Sequence, residues 1–181
     1  MDEIRRSAGK NRVYRRQARL GWLFSLAVAA LSVLFIFGVW LTPVRVYGES
    51  MSPALADGEI VLCDRLAKYF VEPARGDVVL FSHGGELLLK RIVSTGNETV
   101  EVVNGGVYIN SRPLDERGYT VSGGGDSYPL DVPAHCAFIL SDNRSALLDS
   151  RDADIGAIPM ENVLGVLRFR IFPLAKFTFY Y

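Results

Sequence analysis

Apolar and polar positions divide this chain into two regimes. From Gly21 to Val44 it reads GWLFSLAVAALSVLFIFGVWLTPV, and no charged residue occurs between Arg19 and Arg45. An α-helix rises about 1.5 Å per residue, so about 20 apolar residues cross a hydrocarbon layer of about 30 Å. The run predicts a transmembrane helix over roughly Gly21 to Leu41, within a segment 21–42. Trp22 and Trp40 stand near its two ends, where amphipathic rings favour the headgroup level, and Pro43 closes it. Ala27-Val28-Ala29 has the small-x-small pattern of a cleavage site, but it lies inside the apolar run and not after it. A cleaved leader carries an apolar stretch of about 7 to 15 residues, so this longer run is expected to stay as an anchor.

Beyond Pro43 the period changes. Short β-rich runs follow one another: EIVLC, DVVLF, ELLLKRIV, TVEVV, GVYIN, CAFIL and VLRFRIF, separated by Gly, Pro, Asn and Asp. They predict an all-β or mainly β domain over 43–181. TVEVVNGGVYIN is the clearest hairpin, because Asn104, Gly105 and Gly106 tolerate positive φ between two alternating strands. SGGGDS, from Ser122, reads as a flexible loop. RFRIFPLAKFTFYY is interrupted by Arg168, Arg170, Pro173 and Lys176, so a single crossing is expected. Alternation at Leu167, Phe169 and Ile171 assigns this last run to the core.

Charge adds direction. The 181 residues have a formal net charge of +0, and 49% are apolar. Such a chain has enough apolar surface for a core, which excludes a disordered polymer. The neutral balance argues against a nucleic-acid partner held through its phosphates. Locally, however, Arg5, Arg6, Lys10, Arg12, Arg15, Arg16 and Arg19 precede Leu20, opposed there only by Asp2 and Glu3. Basic residues before the helix predict a cytoplasmic tail over 1–20 and a domain outside the cytoplasm after it.

Two segments carry candidate chemistry. VYGESMSPALADGEIVL places Ser50 in a turn bounded by Gly and Pro, and ELLLKRIVSTG places Lys90 toward the end of an apolar strand. Each has an ordinary reading: a serine beside proline is a turn residue, and a strand-end lysine keeps its ammonium in water. Together they have another. Apolar surroundings lower a lysine pKa from about 10.4 toward neutrality, and a neutral amine can take a serine hydroxyl proton.

These segments occur in order with two more, and here the chain resembles the bacterial type I signal peptidase family. GESMSPAL looks like its serine box, ARGDVVLF like the next strand box, LLLKRIVSTG like the lysine box and SDNRSALLDSR like the C-terminal box. VVNGGVYINSRPLDE and VPAHCAFIL resemble the connecting strands, so the likeness spans nearly all of Val44 to Pro173. It implies an antiparallel, coiled β-barrel-like fold outside the bacterial inner membrane. The implied activity is a serine endopeptidase that removes signal peptides, with small residues before the cut. Ser50 would be the nucleophile and Lys90 the general base. The Ser50 N–H would donate to the oxyanion, and Met51 would exclude water. Asp142 would pair with Arg91, while Asp149 and Arg151 would brace the turn near the dyad. No cofactor or metal is implied; the partners are preprotein signal peptides and the lipid bilayer.

The chain departs from the family pattern in the last box. Leu147 stands where a serine usually hydrogen-bonds the catalytic lysine, Ser145 lies two positions early and would support the lysine only if the loop shifts, and Ser141 replaces the usual opening glycine. RDADIGAIP is a longer exit than is common. Gly48 offers no side-chain donor to an oxyanion. These departures leave room for a maturation peptidase dedicated to one pilus, conjugation or secretion substrate, and for a catalytically impaired membrane-tethered binding module.

Cys63 and Cys136, the two cysteines, would be permitted a disulfide outside the cytoplasm, but each bounds an apolar strand, which favours two free, mostly buried thiols. His135-Cys136 suggests a sortase-like thiol pair, but neighbours on a strand point to opposite faces. His83-Gly84-Gly85 reads as a turn.

Overall fold

The computed structural model describes residues 20–116 and 126–180. The basic residues of the N-terminal tail and most of the SGGGDS loop lie outside the described residues. The chain divides into two units, one ending at Trp40 and one beginning at Leu41.

Among the described residues of the first unit a helix, α1, spans Leu20–Trp40 and is long and apolar enough to cross a membrane. Its last turn, Ile36–Trp40, widens to π geometry. Every side chain on it is exposed. A helix that is apolar on all faces and exposed along its whole length is suited to an apolar surrounding.

The second unit is built almost wholly of antiparallel strands: β1 (Leu41–Arg45), β2 (Ile60–Asp64), β3 (Val78–His83), β4 (Glu86–Ser94), β5 (Glu98–Val103), β6 (Gly106–Ile109), β7 (Arg112–Pro113), β8 (Ser127–Val132), β9 (Cys136–Leu140), β10 (Ile158–Pro159), β11 (Val163–Phe172) and β12 (Thr178–Phe179). One sheet runs β1-β2-β11-β3-β4-β9-β10, with β12 on β11; the other runs β7-β6-β5-β8.

Turn chemistry places the hairpins. Gly84 and Gly85 both take positive φ, +60° and +85°, and join β3 to β4 with His83 opposite Glu86. Asn104 and Gly105, at +50° and +78°, do the same between β5 and β6. β8 escaped the reading of the sequence because Pro129 interrupts it. Proline lacks an amide donor, and β8 is an edge strand of its sheet. The C-terminal run also differs from expectation: Leu167 is buried, but Phe169 and Ile171 are only half-buried. Pairing of β11 with β2 shifts between Leu167 and Phe169 and again between Arg170 and Phe172, and each bulge disturbs the alternation.

Among the described residues three apolar clusters fill the domain. One joins Val44 and Val46, Met51 and Leu55, Val61 and Cys63, and Leu89. A second lies around Val79, Ile92, Ile139 and Val166. The third joins the small sheet to Phe138 and Leu140 of β9. Cys63 and Cys136 are free. Burial pushes the Cys63 thiol up to about 12, which keeps it protonated and inert.

Candidate active site

Ser50 lies between β1 and β2, in a chain of turns that local hydrogen bonds set. Gly48 takes φ +73° and its N–H donates to Asp57 Oδ1 at 2.7 Å. Ser52 N–H donates to Glu49 O at 3.0 Å, and Leu55 N–H to Met51 O at 2.7 Å. Met51 is buried in the first apolar cluster while Ser50 stays half-exposed beside it. Among the described residues neither the N–H nor the hydroxyl of Ser50 has a hydrogen-bond partner. Both are therefore open to a substrate.

Lys90 is on β4 and is 2% exposed. The strand runs from exposed Glu86 and Leu87 to residues buried on both faces from Leu89 onward, so an amine that ordinarily seeks water is drawn into the protein. Burial lowers its pKa from 10.5 to about 8; Asp149 and Asp142 raise it, and Arg151 lowers it. Its Nζ donates to Ser141 Oγ at 2.9 Å.

The loop after β9 ties both residues down. Asn143 N–H donates to Ser50 O at 2.9 Å, two positions beyond the serine that Lys90 contacts. Arg91 Nε and Nη2 grip the two oxygens of Asp142 at 2.7 and 2.6 Å, a planar bidentate pair. Burial pushes the Asp142 carboxyl up, against the pull of Arg91. At Asp149 burial acts in the same direction but loses: hydrogen bonds from Arg151 and from the Ser141 N–H hold that carboxyl below its usual range. Arg151 donates to Asp149 through Nε and Nη2 at 2.9 and 2.7 Å and to Arg144 O at 2.9 Å. Arg144, wholly buried, pairs with Glu116 and donates to Gly105 O at 3.0 Å, so the loop is fastened to the small sheet.

A groove of about 600 Å³ opens beside Ser50. Residues 43–47 form one wall, Glu86 to Leu89 of β4 the other, and Ser50 and Met51 line it as well. Among the described residues β1 pairs with β2 alone, and the β4–β9 ladder begins at Arg91. Both walls therefore present strand edges with unused backbone donors and acceptors.

Ser145 is exposed, its N–H on Asn143 Oδ1 at 3.1 Å, and Leu147 is 58% exposed. The hydroxyl that reaches Lys90 is that of Ser141. In the sequence Ser141 stands out only as a departure from glycine, and nothing marks Asn143 or the Arg144–Glu116 pair. A signal was available: if Asp142 pairs with Arg91, then Ser141 falls beside Lys90. Neither His83 nor His135 lines the groove, and among the described residues no three His, Cys, Asp or Glu side chains are grouped to hold a metal ion.

The sequence pattern of the family described as signal peptidase, peptidase S26, matches residues 19–172. The chain belongs to that family. Signal peptidase I of Bacillus amyloliquefaciens is 29% identical over 91% of this chain and 94% of its own. Signal peptidase I T of Bacillus subtilis strain 168 is 31% identical, over 85% of this chain and 86% of its own. The probable signal peptidase I-1 of a Synechocystis strain is likewise 31% identical over 85% and 86%. A solved signal peptidase I from Enterococcus faecalis V583 is 28% identical over 54% of this chain and 97% of its own, with a TM-score of 0.43. Membership of the S26 peptidases makes the chain a serine peptidase, a hydrolase. The apolar helix α1 is consistent with membrane anchoring in such a peptidase.

Proposed function

We propose that this chain removes signal peptides from exported preproteins, with Ser50 as nucleophile and Lys90 as general base. The observation that carries the reading is a buried lysine, lowered to about 8, held by the loop that also holds Ser50. In its neutral form Lys90 takes the Ser50 hydroxyl proton as Oγ attacks the scissile carbonyl. The Ser50 N–H faces the oxyanion that forms. Collapse passes the proton from Lys90 to the departing amine and leaves an acyl-serine. Lys90 then deprotonates a water molecule, which attacks the ester and frees the serine. Asp142, Arg91, Asp149 and Arg151 act through the loop, by fixing its position. Met51 closes the apolar side of the groove beside Ser50, and Gly48 shapes the turn.

The preprotein would lie in the groove as an added strand between the edges of β1 and β4. Val44, Val46 and Leu89 give the groove apolar walls, which supports a reading in which small apolar side chains precede the cut.

The test uses the full-length protein in detergent and a preprotein with Ala-x-Ala before the cut. Only the amine form of Lys90 serves as base. At pH 7 a pKa of about 8 leaves about a tenth of the enzyme competent, so kcat/KM should climb about tenfold per pH unit and level off above about pH 8. Replacing the final alanine by tyrosine should stop cleavage. A flat profile from pH 6 to 9 sinks the assignment of Lys90, and inertness toward several unrelated preproteins sinks general signal-peptide removal in favour of one dedicated substrate.

The basic residues before α1 support a single-pass arrangement in the bacterial inner membrane, N-terminus inside and the β domain outside. Protease added to the outer face of intact spheroplasts should digest the β domain. Digestion only after lysis would reverse the orientation.

A further inference from the structure

The general base needs more than a lowered pKa; it needs an aimed lone pair. A lysine ammonium has three N–H donors on a flexible four-carbon stem, and a neutral amine has a single lone pair that rotation can point anywhere. Among the described residues Lys90 Nζ makes one hydrogen bond, to Ser141 Oγ at 2.9 Å. Ser141 itself has little freedom. It is 0% exposed, its N–H donates to Asp149 Oδ2 at 3.0 Å, and its carbonyl accepts from Arg144 Nε at 2.9 Å. Asp149 and Arg144 are in turn fixed by Arg151 and Glu116. Leu147 has only hydrocarbon to offer, and Ser145 lies exposed on the turn.

We propose that Ser141 is the positioning residue for Lys90: its hydroxyl, anchored through the loop backbone, holds one side of Nζ so that the lone pair is available to the Ser50 hydroxyl. In this chain the hydroxyl comes from the opening residue of the box, and Leu147 is thereby released from the role. The inference rests on Lys90 being the base.

Ser141→Ala and Ser141→Gly remove the hydroxyl with little or no added bulk, and glycine carries the lower risk of a clash. For the full-length protein on the Ala-x-Ala preprotein, kcat should fall about ten- to a hundredfold, the scale of a misplaced catalytic group, while KM stays within about twofold. The rising limb of the pH profile should also move to lower pH by about half a unit. The ammonium form loses a stronger hydrogen bond than the amine form does, so the charged state is the one disfavoured. A purely space-filling serine would move neither the limb nor kcat apart from KM. Melting temperatures identify which variant is folded under assay. A folded Ser141→Ala or Ser141→Gly protein with parental kcat and an unmoved limb overturns the proposal. Lys90→Ala and Ser50→Ala, assayed beside them, separate the two ideas. If those are inactive while the Ser141 variants are fully active, only the role of Ser141 fails. If Lys90→Ala cleaves, the dyad itself is lost.

Discussion

Lys90→Met is expected to be without detectable preprotein cleavage and yet harder to unfold than the parent protein, by about 1–2 kcal/mol at pH 7. The loss of activity follows from removing the proposed base, since a base of this kind supplies at least about a thousandfold in dyads and triads. The gain in stability follows from burial. Lys90 titrates at about 8 in the folded protein against 10.5 for an ordinary lysine. That difference corresponds to a destabilisation of about 3 kcal/mol whenever both states are protonated. Methionine fills a similar volume with no charge, but it leaves the Ser141 hydroxyl without its donor, which returns about 1 kcal/mol of the gain. The sign of the pH dependence checks the cause. Because the folded pKa lies below the unfolded one, the unfolded chain holds more protons between about pH 8 and 10.5, and parental stability rises through that window. The advantage of Lys90→Met should therefore be full below about pH 8 and vanish as pH approaches 10.5. Denaturant titrations of both proteins at pH 7 and pH 10 measure it, and an advantage that is absent at pH 7 or constant with pH removes desolvation as its source.

Sequence-readable features are those with local causes. α1 was legible because a run without charge has one stable environment, and the β3–β4 and β5–β6 hairpins because glycine and asparagine take the positive φ their turns need. Ser50, Lys90 and the Arg91–Asp142 pair stood out through the order of their boxes. What stayed hidden depends on register. The Lys90–Ser141 contact joins residues 51 apart in sequence, and it exists because β4 pairs with β9 at Arg91 and Leu140, so that the next residues along each strand meet. Arg144 offered no sign in the sequence that it would be buried whole; its partner Glu116 leads out of the small sheet, 28 residues earlier. β1 was read as the end of the helix and the turn after it, since Pro43 ends a helix and also suits an edge strand. Phe169 and Ile171 left the core for the same kind of reason, two bulges that no alternation pattern foretells.

Arg91→Met should be the most destabilising substitution near the site, at about 3–5 kcal/mol, with cleavage lost alongside. Asp142 is 0% exposed and Arg91 holds both of its oxygens, so removing the guanidinium strands a carboxylate in the interior. Arg91 Nη1 also donates to Gly76 O at 2.8 Å, and that carbonyl loses its donor as well. Burial already pushes the Asp142 carboxyl up, and without Arg91 it should rise further and take up a proton. A group whose folded pKa is raised stabilises the protein below its unfolded value and loses that contribution as pH climbs through the folded value. The deficit of Arg91→Met should therefore be smaller at pH 5 than at pH 8, which urea titrations at the two values would read directly. The partner change gives the second arm. Arg91→Met with Asp142→Leu replaces an ion pair by an apolar one of similar volume, and most of the stability should return. Cleavage should not return with it, because Asp142 lies between Ser141 and Asn143 and fixes the strand end from which one reaches Lys90 and the other Ser50. Stability and activity would then separate, the first answering to whether the charges are paired and the second to where the loop is held. A double variant as unstable as Arg91→Met would mean that shape at this site, and not charge, accounts for the loss.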